Sequence, residues 1–116
     1  MLSKISLLGA IIFVTLLFWG GGQPGAVGLF EPPFDKIAHL TAFGVFGLLL
    51  WLGFQGRWPL LIIILAGSVG ALDEWRQAFL PGRAVSVGDF AMDITAVVVV
   101  VGIMSLREKL LRERRE

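Results

Sequence analysis

Residues 37–54 read IAHLTAFGVFGLLLWLGF, eighteen positions with no Lys, Arg, Asp or Glu and with His39 as the only ionisable side chain. At ~1.5 Å per residue a helix of that length spans ~27 Å, close to the ~30 Å hydrocarbon core of a bilayer. Three more stretches have the same character. Ile5–Gly22 and Trp58–Leu72 carry no charge, and Phe90–Leu106 carries only Asp93. Trp58–Leu72 reaches only ~22 Å, so its helix is expected to continue through Asp73, Glu74, Trp75, Arg76 and Gln77 towards Phe79. The expected helices are therefore roughly 5–22, 37–54, 58–79 and 89–106. The connections fit this division. Residues 20–33 are rich in Gly and Pro, Gln55-Gly56-Arg57 precedes Pro59 as a tight helix–helix turn, and Pro81-Gly82-Arg83 marks a turn after the third helix.

Composition excludes an ordinary soluble domain. Of 116 residues 56% are hydrophobic and only 16% charged, with mean hydropathy +0.83, far more apolar than soluble chains of this length. The length allows one domain, 1–116. There is no Cys, which excludes disulfides, thiolate metal sites and a Cys nucleophile.

Orientation follows from where Lys and Arg lie relative to the span ends. Lys4, Arg57, Arg107, Lys109, Arg112, Arg114 and Arg115 make seven on one side, against Lys36, Arg76 and Arg83 on the other. The richer side is expected to be cytoplasmic. The fold class is thus all-α: an integral membrane, antiparallel four-helix bundle with four transmembrane helices, N-in/C-in, and a short amphipathic C-terminal tail at 107–116. The expected place is the cell (cytoplasmic or inner) membrane. Met1–Lys4 and the small residues after Trp19 also resemble a signal peptide, whose cleavage would leave the other three helices oriented the same way. In the tail, Leu106, Leu110 and Leu111 sit among charges, a pattern drawn to anionic lipid, with Glu108 and Arg112 placed to pair at i, i+4.

Most acidic residues collect on the outer side. Asp35, His39, Asp73, Glu74, Arg76, Gln77, Arg83, Asp89 and Asp93 all fall at the outward ends of the last three helices. Asp35 and His39, Asp73 and Gln77, and Asp89 and Asp93 are each spaced i, i+4, so each pair shares a helix face. Continuing those faces inward gives Ala42, Phe43 and Phe46, then Gly70 and Ala66, then Ala96 and Val100. Ala66 and Gly70 form a small-xxx-small pair suited to close helix contact. An Asp in mid-span costs roughly 2.5–3.5 kcal/mol, while the nine Leu, Ile, Val and Phe residues of the fourth helix contribute roughly 3–5. Asp93 is therefore expected to face the bundle and meet a partner, with Arg83, Arg76 and His39 as candidates. Three nearby Asp residues against two cations leave room for a proton, a metal ion or a cationic ligand.

The motifs Asp35-Lys36-Ile37-Ala38-His39, Asp73-Glu74-Trp75-Arg76-Gln77 with Pro81-Gly82-Arg83, and Asp89-Phe90-Ala91-Met92-Asp93 resemble, in order and spacing, three signature stretches of VanZ-like membrane proteins. The resemblance covers about half the chain. Ala96 stands where that family often has Gly, and Asp93 where Asn also occurs. It implies a bacterial cell-envelope role linked to glycopeptide (teicoplanin) susceptibility, with the polar site facing lipid-linked wall precursors.

Three functions are open. In the first, the outer pocket binds a lipid-linked or head-group ligand: Arg83 and Arg76 contact anionic groups, Asp73, Glu74 and Gln77 orient hydroxyls or amides, and Asp35 with His39 tunes protonation. In the second, a metal-assisted enzyme acts on an amphiphilic phosphate-containing substrate. There His39 is the acid–base group oriented by Asp35, the carboxylates hold a divalent cation (Asp89 and Asp93 being weak metal candidates), and Arg83 steadies a phosphate. In the third, the charges only lock a structural membrane subunit together. Membrane lipids and a lipid-linked cell-wall precursor are the expected partners. Nucleic acid is not, no cofactor is expected beyond a divalent cation, and the oligomeric state is open.

Overall fold

The computed structural model describes residues 1–21, 34–80 and 87–116. They form four helices: α1 (Leu2–Gly21), α2 (Phe34–Gly53), α3 (Pro59–Gln77) and α4 (Val87–Arg115). Among the described residues there is no strand. α1, α2 and α4 are each long and apolar enough to cross a membrane. α3 has 19 residues but carries Asp73, Glu74 and Arg76 in its last five positions.

Boundaries differ from expectation where chemistry favours a longer or shorter helix. α2 begins at Phe34, directly after Pro32-Pro33 in sequence, so Asp35 and Lys36 lie within its first turn. α3 stops at Gln77 rather than near Phe79: the N–H groups of Ala78, Phe79 and Leu80 turn back to the carbonyls of Trp75, Arg76 and Gln77 in the tighter i→i−3 pattern. The expected separate tail is instead the end of α4, which runs unbroken to Arg115. Arg, Glu, Lys and Leu are strong helix formers, and no Gly or Pro interrupts Ser105–Arg115.

The α2–α3 turn closes with a Schellman cap. Gln55 takes a left-handed conformation (φ 56°), its N–H bonds the Leu52 carbonyl at 3.3 Å, and the Gly56 N–H reaches the Trp51 carbonyl at 3.0 Å. Trp58 is also left-handed (φ 54°) and caps α3, with Pro59 in its first turn.

Close approaches fix the helix directions. Gly53 lies over Leu7 and Gly9 over Leu49, so α1 and α2 are antiparallel. Gly67 lies against Ile94 and Gly70 against Asp93, so α3 and α4 are antiparallel too. α2 and α4 run in the same direction and make the broadest contact of the bundle. A Cβ on Gly47 would stand 3.4 Å from the Val97 Cα, so the missing side chain is what lets these backbones meet. The core is aromatic towards α1: Phe13 stacks on Phe46 at 4.7 Å, and Phe43 meets both rings edge-on.

The distribution of side chains is that of a protein in lipid. Ile5, Leu8, Ile12, Leu16, Leu60 and Ile64 point outward, while Ser6, Asp73, Glu74, Gln77 and Asp93 are buried. In water so much outward apolar surface is a severe liability; facing acyl chains it costs nothing. This is a membrane-associated protein.

Candidate functional site

The polar cluster assembles at the end of the bundle where α2 and α4 begin and α3 ends. His39 is its hub. Its Nδ1 lies 2.8 Å from Asp93 Oδ1, a distance at which the ring N–H donates to the carboxylate, and its Nε2 lies 3.5 Å from Asp89 Oδ2. The i, i+4 spacing of Asp89 and Asp93 puts both carboxylates on the α4 face that meets α2, as expected. So does the inward turn of Asp93, whose side chain is only 1% exposed. Of its two candidate partners among the described residues, His39 and Arg76, it is His39 that it meets.

α3 supplies the rest. Asp73 is buried and accepts from Gln77 Nε2 at 3.0 Å, the pair expected from spacing. Arg76 Nη2 reaches Asp73 Oδ1 at 3.4 Å, and its guanidinium lies 5.0 Å from the Phe18 ring centroid of α1, a cation–π contact. Glu74 is buried. The inward faces read from sequence also hold: Phe43, Phe46, Ala66, Gly70 and Ala96 are buried, with Ala42 and Val100 partly so.

Asp35 was expected to orient His39 and Arg83 to contact anionic groups, but the Asp35 side chain and Arg83 lie outside the described residues. Among the described residues the two ring nitrogens of His39 face Asp93 and Asp89. Of the two metal candidates, Asp93 belongs to a group with His39 and Glu74 whose ligand atoms all lie within 4.8 Å of one another. Asp89 is not in that group, and Lys36 Nζ donates to its Oδ1 at 2.6 Å. Lys36 is a residue that the sequence reading used for orientation and for the family resemblance but did not place in the site. The signal was present, since Lys36 and His39 are i, i+3 and share a face.

Electrostatics of the cluster favour a cation. Among the described residues Asp73, Glu74, Asp89 and Asp93 face two permanent cations, Lys36 and Arg76, together with His39. Asp93 Oδ2 is buried and accepts no hydrogen bond from the described residues. It points towards Gly70, where a Cβ would stand 3.1 Å away. A buried carboxylate oxygen without a donor is costly unless something positive reaches it. The donor set of one imidazole and two carboxylates suits Zn²⁺ or Mn²⁺. Donor distances of about 2.1 Å imply edges of about 3.4 Å in a tetrahedral site, so His39, Glu74 and Asp93 fit after a modest inward closure. No family model, curated protein or solved structure matches the chain.

Proposed function

We propose that the chain is a four-pass, VanZ-like protein of the cytoplasmic membrane, with both termini inside, whose outward cluster binds the phosphate-bearing head group of a lipid-linked envelope molecule through a divalent cation. The observation that carries this is the buried Asp93 Oδ2, which accepts no hydrogen bond from the described residues, among which the cluster's carboxylates outnumber its permanent cations. His39, Glu74 and Asp93 hold the cation. Carboxylate-bound divalent ions commonly complete their coordination with phosphate oxygens, which gives the head group its anchor, and Arg76 stands beside it to contact remaining anionic oxygens. α3 crosses the membrane in this reading because its three charges collect in the last turn, at the cluster, rather than facing lipid.

Calorimetric titration of the detergent-purified chain with Mn²⁺ and Zn²⁺, followed by a polyprenyl phosphate, tests it. Asp93→Asn and Glu74→Gln are expected to weaken metal binding at least about tenfold, and to remove the metal dependence of lipid binding. Unchanged metal affinity in both variants, each verified as folded by its melting curve, would contradict the reading.

The 2.8 Å contact of His39 with Asp93, with Asp89 at 3.5 Å from its other ring nitrogen, favours one second reading, a metal-assisted enzyme with His39 as acid–base group. Release of phosphate from the same lipid by the wild type, lost in His39→Gln, distinguishes turnover from binding.

A further inference from the structure

The opposite end of the bundle carries a feature that shares no residue with the polar cluster. At ~1.5 Å per residue the 29 residues of α4 outrun the 20 of α2, so the stretch from Arg107 to Arg115 projects beside the turn at 54–58. Between them lies a cavity of about 320 Å³. Trp51, Leu52 and Met104 give it an apolar floor, and Arg107, Arg112 and Arg115 line it with guanidinium groups.

The charge there is unbalanced. Glu108 is the cavity's one carboxylate, and it pairs with Arg112 at 3.4 Å. It is tucked under the turn: a Cβ on Gly56, whose φ is +72°, would stand 2.7 Å from Glu108 Oε2. Among the described residues no carboxylate lies at ion-pair distance from Arg107 or Arg115. Two guanidinium charges therefore face the cavity without a counter-ion from the described residues. The Gln55 amide, which also lines it, adds a neutral donor and is held in place by its bond to Ser3 Oγ at 3.3 Å.

We propose that this cavity binds the phosphate group of an anionic membrane lipid. Guanidinium forks match phosphate oxygens in geometry as well as charge. The apolar floor favours a lipid over a soluble phosphate, because Trp51, Leu52 and Met104 present mainly carbon surface, with the Trp51 indole N–H as their one donor, and would accept the first carbons of an acyl chain. The place is also right: the cavity opens where the uncharged spans end, beside Trp58, which is exposed as interfacial anchors are. The tail thus does more than orient the chain, since it forms one wall of a lipid site.

Native mass spectrometry of the delipidated full chain titrated with phosphatidylglycerol tests this. One retained lipid is expected, with Arg107→Gln and Arg115→Gln each weakening retention about tenfold. Arg114→Gln, which does not line the cavity, is expected to change nothing, and diacylglycerol, which lacks the phosphate, is expected not to bind. Leu52→Trp, which fills the floor and keeps every charge, is expected to abolish retention. An equal loss with Arg114→Gln would show diffuse attraction and overturn the site. Displacement of the lipid by equimolar inorganic phosphate, equal binding of diacylglycerol, or full retention by Leu52→Trp would overturn it as well.

Discussion

His39→Ala is expected to lower the unfolding free energy of the purified protein by roughly 3 kcal/mol, the low end of the range for breaking a buried charged pair by removing one partner. The loss comes from Asp93, which is 1% exposed and, among the described residues, has no other hydrogen-bond donor once the His39 ring N–H is gone. His39 itself is a fifth exposed, which is why the low end applies. Replacing both partners, His39→Leu with Asp93→Leu, removes the stranded carboxylate and is expected to recover most of the stability while abolishing metal binding. Denaturant melts of the two single variants and the double variant measure the coupling directly. Additive losses would show that the pair does not act as a unit.

Gly70→Leu is expected to have the second large effect, about 2–3 kcal/mol of destabilisation together with loss of metal binding. The position has no room. A Cβ there would lie 3.1 Å from Asp93 Oδ2, 3.5 Å from Asp93 Cβ and 3.6 Å from Phe43 Cε1. The remaining atoms of a Leu must either push the Asp93 carboxylate out of the cluster or part α3 from α4. Gly102→Leu is the control. Apart from its chain neighbours and its own helix backbone, no atom of the described residues lies within 4 Å of a Cβ at that position, so its melting point should not fall below the wild-type value. If Gly70→Leu melts and binds like Gly102→Leu, the close approach of α3 to Asp93 is not what shapes the site.

Much of this arrangement is legible in the sequence because lipid simplifies the reading. Uncharged runs of span length announce helices, and the cost of Asp93 in hydrocarbon turns that residue inward before any partner is known. The Asp73–Gln77 bond follows from i, i+4 spacing, which needs one helix only. What spacing does not carry is which helices meet. His39 joins Asp93 because α2 and α4, two elements apart, make the broadest contact, and that contact depends on Gly47 against the Val97 backbone. Lys36 was read as a marker of orientation because its partner, Asp89, lies 53 residues away on α4. The long α4 was divided at Leu106 because hydropathy changes there, although helix propensity does not.

The most direct measurement is the sidedness of the two ends of α3. The chain has no Cys, so single cysteines introduced at Arg57, Phe79 and Glu116 can be read with a membrane-impermeant maleimide in intact cells. All three positions are exposed. Four crossings with both termini inside require Phe79→Cys to react from outside, and Arg57→Cys and Glu116→Cys to react only after the membrane is opened. Reaction of Phe79→Cys and Arg57→Cys from the same side would mean that α3 does not cross, and would remove the outward-facing site from the protein.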